Sequence, residues 1–413
     1  MRPMLFQTHN CKCPARMEAP SAVRRGNFVV PMRDRLAPWD ASTIPAFALP
    51  RPGVKSSFER LFWIQPLFRK ICCTHCIESA RALTMTSDGQ DSFIHFQTKL
   101  EDASDIELVV IVPTFRRPDH LVKTLRTIVS QRPDVPLATI VVENDADGLA
   151  GAQAAKDFFS GHSFDSSVVV ARRHGYAHAC NAGLTAALEL FPRIGLVAVI
   201  YDDEIAAPEW LDCLMAVQEA HDADIVGGPQ LPVLGHPQEQ KWKRHPVFAP
   251  PYHGSGPVPV LYSAGNVLIT RRVLDGMPRP FLDPVLNIVG IGDADFFDRC
   301  RAKGFSFAWA ADAWVAESVP AHHTTASWTR ARSLEKGAIS TLMEHQRDAT
   351  FSGRLKTLCK SLWLLASSLP VGIRLWTETG LAAASLHPLH VAIGRLTARI
   401  DADDTRDGNR DRD

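Results

Sequence analysis

The stretch VAVIYDDEIAAPEWL, residues 197–211, is the part of the sequence that indicates the fold. An apolar, strand-like run leads directly into three consecutive acids, Asp202, Asp203 and Glu204. Pro208 follows, and after it an apolar segment that predicts the first turn of a helix. A buried strand that ends in polar residues before a helix is typical of α/β sheets, whose ligands gather at the carboxyl ends of the strands.

The same alternation of strand-like and helix-like segments continues on both sides, over residues 106–337. The predicted strands are IELVVIVPT, ATIVVEND, SSVVVAR and GLVAVIYDDE, at 106–114, 138–145, 166–172 and 195–204. The predicted helices between them cover 119–131, 148–159 and 177–191. This order predicts an α/β domain with a mainly parallel central sheet flanked by helices.

Three adjacent carboxylates at a strand end repel one another unless a cation compensates their charge. A hard divalent ion such as Mg²⁺ or Mn²⁺ is held by one or two carboxylates together with substrate phosphates. A polar strand-to-helix loop, with an acid near the helix N-terminus, explains the same three acidic residues without any metal. Both interpretations stay open from the residues alone.

A second acidic group lies in LNIVGIGDADFFDRCRAKG, residues 286–304. Asp293 follows two closely spaced glycines and opens a predicted amphipathic helix, so it is a candidate helix cap or a candidate general base. Further along, His322 and His323 are candidates for a phosphate or metal contact, or ordinary histidines of the surface or core.

The ends of the chain differ from this middle part. Residues 1–100 are rich in Arg, Pro and Cys without a sustained period, which predicts a poorly structured extension. Within it, CCTHC at 72–76 with Cys11 and Cys13 is either a zinc site or part of that extension, and Met85 is a candidate natural start. Residues 351–400 predict a helical extension, and residues 401–413 a short, charged, disordered tail.

Composition narrows the function classes and the compartment. Lys and Arg (45) balance Asp and Glu (45), which argues against a general nucleic-acid binder. Of nine cysteines, five lie in the first fifth of the chain and four are scattered singly, which is not a disulfide framework. The N-terminus also lacks a secretory h-region, so we expect a cytoplasmic protein. No uninterrupted apolar run reaches the length of a transmembrane helix. The basic amphipathic stretch at 354–376 predicts either peripheral contact with the inner membrane or a cap on the catalytic domain.

Six motifs in a fixed order resemble the family-2 glycosyltransferases of GT-A fold, and most of all the bacterial glucosyltransferases of succinoglycan-type exopolysaccharide synthesis. They are IVPTFRRPDHLVKTLRTI, VVEND, RRHGYAHACNAG, YDDEIAAPEWL, YSAGNVLITRR and GIGDADFFDR. The segments AWVAESVP and WTRARSLEKG match the same subgroup, so the resemblance spans residues 106–337. It implies a catalytic domain over 106–345 and an inverting transfer from a nucleotide-sugar, favouring a UDP-sugar, to a saccharide or lipid-linked acceptor.

The resemblance also implies roles for individual residues on the donor side. Pro113, Thr114 and Arg116 would line the nucleotide site. Glu143, with Asn144 after it, stands where the family carries an Asp that recognises uracil. Arg173 and Asn181 occupy the stretch that helps to bind the base and the diphosphate.

The remaining implied roles concern the acids. Asp203 would be the first metal ligand, Glu204 a second one, and Asp202 would lie near the ribose. Asp293 matches the catalytic base. Gly292 replaces the Glu that the family commonly shows before this base, which removes an expected acceptor-binding carboxylate.

Two alternatives stand beside the transferase. A sugar-phosphate nucleotidyltransferase also combines an α/β sheet with metal-binding acids, but it needs a Gly-rich loop after the first strand, where this sequence has PTFRRPD. A catalytically inactive module that binds sugar-nucleotides for assembly would keep the fold, although the presence of both Asp203 and Asp293 argues against it.

Overall fold

The computed structural model describes residues 91–98, 103–289 and 292–398. The candidate zinc residues at 72–76, the start at Met85 and the tail at 401–413 lie outside the described residues. The predictions for them therefore stay predictions.

A nine-stranded sheet forms the centre of the described structure, in the order β1-β4-β3-β2-β5-β10-β7-β11-β9. The strands of this sheet are β1 (Ser92–Gln97), β2 (Leu108–Thr114), β3 (Leu137–Glu143), β4 (Ser166–Ala171), β5 (Leu196–Ile200), β7 (Ile225–Gly227), β9 (Gly256–Val258), β10 (Asn266–Thr270) and β11 (Phe307–Trp309). Six of these nine strands run in the same direction, and β1, β9 and β10 run against them. The predicted α/β class with a mainly parallel sheet is confirmed.

A second, three-stranded sheet has the order β6-β12-β8. Its strands are β6 (Glu204–Ala206), β8 (Gln230–Leu234) and β12 (Val315–Val319). β12 pairs antiparallel with β6 and parallel with β8. Because β6 starts at Glu204, this small sheet adjoins the acidic stretch that follows β5.

Helices cover both faces of the main sheet and continue at the C-terminus. They are α1 (Pro118–Ile128), α2 (Ala150–Ser160), α3 (Tyr176–Leu190), α4 (Trp210–His221), α5 (Arg271–Gly276), α6 (Gly292–Ala302), α7 (Ala326–Arg347), α8 (Phe351–Thr379), α9 (Ala382–Ser385) and α10 (His387–Thr397). Shorter 3-10 helices are found at Pro237–Arg244, Pro284–Val289 and Ala321–Thr324. The helices predicted at 119–131, 148–159 and 177–191 correspond to α1, α2 and α3.

Both faces of β2 are buried, which explains why its sequence is apolar throughout. Val109 and Ile111 face one core while Val110 and Val112 face the other, as the two-residue period of a strand requires. Gly183 lets α3 approach this strand closely, since an added Cβ would lie 2.6 Å from Ile111 Cγ2. The carboxyl ends of β2, β3 and β5 are therefore held in fixed positions side by side.

The C-terminal helices pack mainly on one another. α10 lies against both α7 and α8, and α9 contacts α8. Among the described residues, α8 alone is long and apolar enough to cross a membrane by length and composition.

Candidate functional site

The predicted acids meet the carboxyl end of β2 directly. Thr114 donates its hydroxyl to Asp202 Oδ2 at 2.8 Å, and the Phe115 amide approaches the same oxygen at 3.4 Å. Asp202 is buried, and this burial raises its pKa, against which the bond from Thr114 acts. Pro113 lies inside β2, buried and paired in register with Val142. It therefore shapes the strand end, and its side chain offers no polar group to a ligand.

Arg117 holds the two acids together. Its guanidinium contacts Asp203 Oδ2 at 2.5 Å and Asp202 Oδ1 at 3.4 Å. The Asp203 side chain keeps 17 % of its surface exposed, whereas that of Asp202 keeps 8 %. Asp203 is therefore the carboxylate of this pair that a ligand in solvent reaches more easily.

Arg116, the arginine predicted for the nucleotide site, points elsewhere. Its backbone has φ 56°, a left-handed conformation that is uncommon outside glycine. Its guanidinium pairs with Asp145 at 2.5 Å and lowers the pKa of that carboxyl, chiefly through their hydrogen bond. The two adjacent arginines thus serve different acids, and Asp145 is a polar group at this strand end that the sequence interpretation did not single out.

Glu143 caps a helix in this structure. Its Oε2 accepts the Gly151 and Ala152 amides at 2.7 and 3.0 Å, and its Oε1 accepts the Asp145 amide at 2.8 Å. The residue has no exposed surface. Both carboxylate oxygens are thus bonded to the start of α2 and its preceding loop, which gives Glu143 a structural role here, and its contact with a uracil base stays a prediction.

Asn144 and Arg173 belong to one loop junction. The Asn144 amide group donates to the Arg173 carbonyl at 2.8 Å and accepts the Gly175 amide at 2.7 Å. These bonds tie the end of β3 to the loop after β4. The Arg173 side chain pairs with Asp91 at 3.2 Å and keeps about a third of its surface exposed. Asn144 thus holds the loop that carries Arg173 at the sheet edge.

Asn181 joins α3 to a distant loop. Its side chain donates to the Leu282 carbonyl at 2.8 Å and accepts the Leu282 amide at 2.9 Å. This two-point contact positions the segment just before the 3-10 helix at Pro284–Val289. Asn181 therefore fixes this segment to α3, and its contact with a diphosphate stays a prediction.

Glu204, the predicted second metal ligand, is bonded within the protein through both carboxylate oxygens, so the geometry favours Asp203 over Glu204 for a cation. Its Oε2 accepts the Tyr201 amide at 2.7 Å and its Oε1 accepts Gln230 at 2.6 Å. The residue is fully buried, and burial holds the pKa of its carboxyl well above the ordinary value. Glu204 closes the turn between β5 and β6 instead.

Asp293, the predicted base, is partly buried at the start of α6. Its Oδ2 accepts the Ala264 amide at 3.0 Å and the Tyr201 hydroxyl at 3.2 Å. Within the described part of the chain, its buried Oδ1 has no hydrogen-bond donor in good geometry. Burial raises the pKa of Asp293, while the Ala264 amide and the hydroxyls of Tyr201 and Tyr176 oppose the rise. A carboxylate with a raised pKa and a vacant acceptor oxygen suits a general base.

Besides Asp145, the sequence interpretation missed four residues of the site, which are Tyr176, Tyr201, Arg117 and Glu317. Tyr201 contacts Tyr176 at 3.1 Å between the hydroxyl oxygens. Arg117 bridges the acids, and Glu317 on β12 lies near Asp203. Burial, and then the charge of Asp203, raise the pKa of Glu317 to about 7. Tyr201 precedes Asp202 and Arg117 follows Arg116, two residues that the sequence interpretation had selected. Their position beside selected residues is the sequence signal that could have identified them.

The histidine pair forms an aromatic stack. His323 stacks on Trp328 with ring centroids 4.1 Å apart, and Trp328 stacks on Phe248. Burial lowers the pKa of His323 to about 4. This arrangement supports the ordinary structural interpretation of His323 over the phosphate or metal contact.

Residues 109–275 match the sequence model of the glycosyl transferase family 2. That match contains every predicted donor-side and metal residue and stops short of Asp293. Over 239 residues the chain is 28% identical to the succinoglycan biosynthesis protein ExoM of Rhizobium meliloti (strain 1021), which covers 55% of this chain and 71% of that protein.

Solved structures are also similar to the chain. One is S. aureus TarS 1-349 in complex with UDP, at 14% identity and TM-score 0.42, covering 71% of this chain and 90% of that one. Another is the mannosyltransferase PcManGT from Pyrobaculum calidifontis in complex with GDP-Man and Mn²⁺, at 15% identity and TM-score 0.47, covering 82% and 98%. The family match therefore shows that the chain carries a glycosyl transferase family 2 domain at residues 109–275.

Proposed function

We propose that this glycosyltransferase inverts the anomeric centre while it moves a sugar from a UDP-sugar to a saccharide or lipid-linked acceptor in exopolysaccharide synthesis. The observation that carries the proposal is the link between the two acidic sites. Tyr201 directly precedes Asp202 in the chain, and its hydroxyl contacts Asp293 at 3.2 Å. Tyr201 therefore adjoins both the proposed leaving-group site, at Asp202, and the proposed base, Asp293.

The acceptor side needs a base that takes a proton as the new bond forms. The vacant Oδ1 of Asp293 is the atom that would receive the proton of the acceptor hydroxyl. As the acceptor oxygen bonds to the anomeric carbon, the bond from that carbon to the diphosphate breaks, and the electron pair leaves with the diphosphate. Such a single displacement inverts the configuration, and a general base of this kind contributes about 10²–10⁴-fold to the rate.

The donor side must stabilise the negative charge of the leaving diphosphate. Arg117 supplies a fixed positive charge beside Asp202 and Asp203. The exposed Arg116 follows the carboxyl end of β2, and the partly exposed Arg173 follows that of β4. The similarity to a succinoglycan biosynthesis protein supports a role in exopolysaccharide synthesis. A cytoplasmic location and the UDP-sugar are parts of the same proposal.

The acids fit a divalent cation that is shared with the substrate. Within the described residues, no group of three or more His, Cys, Asp or Glu side chains is arranged to hold a metal alone. Mg²⁺ and Mn²⁺ are commonly held by one or two carboxylates plus substrate phosphates. Asp203, with Asp202 beside it, would hold such an ion in place of the Arg117 contact. When bound, the ion would act as a Lewis acid on the diphosphate.

The test is a screen of UDP-sugars for hydrolysis or transfer with Mn²⁺ present. We expect Asp203→Asn to weaken the dependence on Mn²⁺, and Asp293→Asn to lower kcat by about 10²–10⁴-fold while nucleotide binding is kept. Glu204→Gln should leave the Mn²⁺ dependence unchanged, because its carboxyl is bonded within the protein.

Asp295→Asn is the matched control for the base. Asp295 lies two residues from Asp293 on the same helix and pairs with Arg299 at 2.7 Å, so its loss should leave kcat near the wild-type value. Binding of UDP-sugars without any turnover, equal in wild type and Asp293→Asn, would instead identify the inactive binding module. Asp203→Asn with an unchanged Mn²⁺ requirement would remove Asp203 from the cation site.

A further inference from the structure

Helix α8 packs its smallest side chains inward. The residues buried along it are Gly353, Thr357, Ser361, Ser368 and Gly372. The burial pattern of α8 is thus the reverse of that of an ordinary surface helix, whose apolar stripe faces the core. Small residues let neighbouring backbones approach, and an added Cβ on Gly372 would lie 2.5 Å from the Ser385 carbonyl oxygen.

The large apolar side chains of α8 point away from the protein. They recur every three, four or seven residues, as one face of a helix requires. We call this set the apolar stripe, and it consists of Phe351, Leu355, Leu358, Leu362, Leu369, Ile373 and Trp376. Each member is between 47 % and 82 % exposed. Contiguous exposed apolar surface of this kind marks a binding face.

The stripe continues onto the neighbouring helices. A shallow groove of about 210 Å³ joins Leu369, Ile373 and Trp376 to Leu386 and Leu389 at the start of α10. Leu386 is 46 % exposed. The close contact at Gly372 holds these surfaces together, so they form one face.

The charge of α8 indicates which kind of partner binds the apolar stripe. The helix carries four cationic residues, Arg354, Lys356, Lys360 and Arg374, against the single acid Glu378. A basic amphipathic helix that exposes Trp and Leu is suited to a membrane surface with anionic headgroups. Two copies of this face placed together would instead bring two cationic helices into contact, which opposes self-association.

The polar side of α8 argues for lying on a membrane rather than crossing it. Lys360 pairs with Glu344 of α7, and Glu344 also pairs with Arg395 of α10. Arg395 further donates to Ser361 at 3.0 Å. A crossing would place this charged network at the depth of the hydrocarbon, where ionised groups are costly.

We propose that the apolar stripe docks this protein flat on an anionic lipid surface, with α8 lying in the interface and the catalytic domain outside it. The proposal is independent of the donor and acceptor proposed above, because it rests on α8 and its neighbours alone. It assigns an anionic lipid surface as the partner of the C-terminal extension.

The test is co-sedimentation of the full chain with vesicles of phosphatidylcholine, with and without about a third of phosphatidylglycerol, a composition chosen for its anionic charge. Wild type should bind the anionic vesicles and bind less at high salt. The triple variant Phe351→Ser, Leu369→Ser, Trp376→Ser should lose affinity on the order of 100-fold, because three exposed apolar anchors are removed.

The matched control is the double variant Ile94→Ser, Val233→Ser, which removes exposed apolar residues of strands β1 and β8 and should bind as wild type does. An unchanged melting temperature of the triple variant would confirm that its fold is intact. Wild type that stays in the supernatant with every vesicle, or a triple variant that binds equally well, overturns the proposal. So does retention after alkaline extraction, which indicates a crossing, or a stripe-dependent dimer without lipid binding.

Discussion

At the scale of single residues, the proposed chemistry requires an acid, Asp293, whose ionisation in the folded protein costs free energy. Asp293 is partly buried, and its buried Oδ1 has no hydrogen-bond donor among the described residues. An acid whose pKa is raised by burial is easier to keep protonated in the folded state than in the unfolded chain. Folding is therefore favoured by this group at low pH, and the contribution is lost as the pH rises above the unfolded value near 4.

Asp293→Asn should accordingly raise the melting temperature at neutral pH while it lowers kcat by about 10²–10⁴-fold. The asparagine oxygen can still accept the Ala264 amide and the Tyr201 hydroxyl, and no charge is buried. Thermal melts of both proteins from pH 3 to pH 8 check this, with the gain expected to grow as the pH rises. A variant less stable than wild type at pH 8 would contradict the proposed cost of ionising Asp293.

Neighbouring residues also show where sequence reasoning stops. Asp202, Asp203 and Glu204 are adjacent letters, yet the Glu204 amide donates back to the Tyr201 carbonyl at 3.2 Å, so the chain turns and their side chains diverge. The same limit applies to Arg116 and Arg117, because the left-handed backbone of Arg116 sends the two guanidinium groups to different acids. A sequence gives the order of such groups but not the direction of each side chain.

At the scale of elements, the predicted strands and helices of the domain were found because their apolar patterns are long and unambiguous. β2 to β5 are buried runs of five to seven residues, for which the pattern has one interpretation. The second sheet was not predicted, since β6 has three residues and β8 contains Pro232 within five. Such strands form through pairing with β12, a contact far away in sequence.

The start of α2 connects an element to the site. An added Cβ at Gly151 would lie 2.7 Å from Glu143 Oε2 and 2.8 Å from Thr114 Cγ2. Gly151→Ala should therefore cost about 1–3 kcal/mol of the free energy of unfolding. It should also weaken UDP-sugar binding, because Thr114 holds Asp202.

Urea unfolding and nucleotide titration measure both effects. Gly161→Ala, at the other end of α2, is the control, since its added Cβ meets nothing closer than the Phe158 carbonyl at 3.7 Å. Equal stability and affinity in the two variants would show that the contact between α2 and Thr114 does not matter for the site.

At the scale of the whole molecule, two histidines, His245 buried and His387 partly buried, lie where the C-terminal helices meet the rest of the protein. The His245 ring is 5.5 Å from that of His387, and His387 Nδ1 lies 2.8 Å from Ser333 Oγ. Burial lowers the pKa of His245 to about 4. Burial, and then the charge of Lys336, lower that of His387 to about 3.

A histidine with a lowered pKa in the folded state stays neutral there while the unfolded chain takes up a proton. Its contribution to stability is full above pH 6.5 and is lost as the pH falls from there towards 3. We expect the melting temperature to fall over this range, and to fall less steeply in His387→Leu. The exposed His221→Gln is the control, and an unchanged slope in His387→Leu would contradict the assignment.

The position of Tyr201 between the two acidic sites has a thermodynamic consequence. If a donor that docks at Asp202 shifts the Tyr201 hydroxyl, it changes how readily Asp293 takes up a proton. Reciprocity then requires that protonation of Asp293 change the affinity for the donor by the same factor. Donor affinity measured without any acceptor would therefore vary with pH, and Tyr201→Phe would uncouple the two equilibria while leaving each site in place.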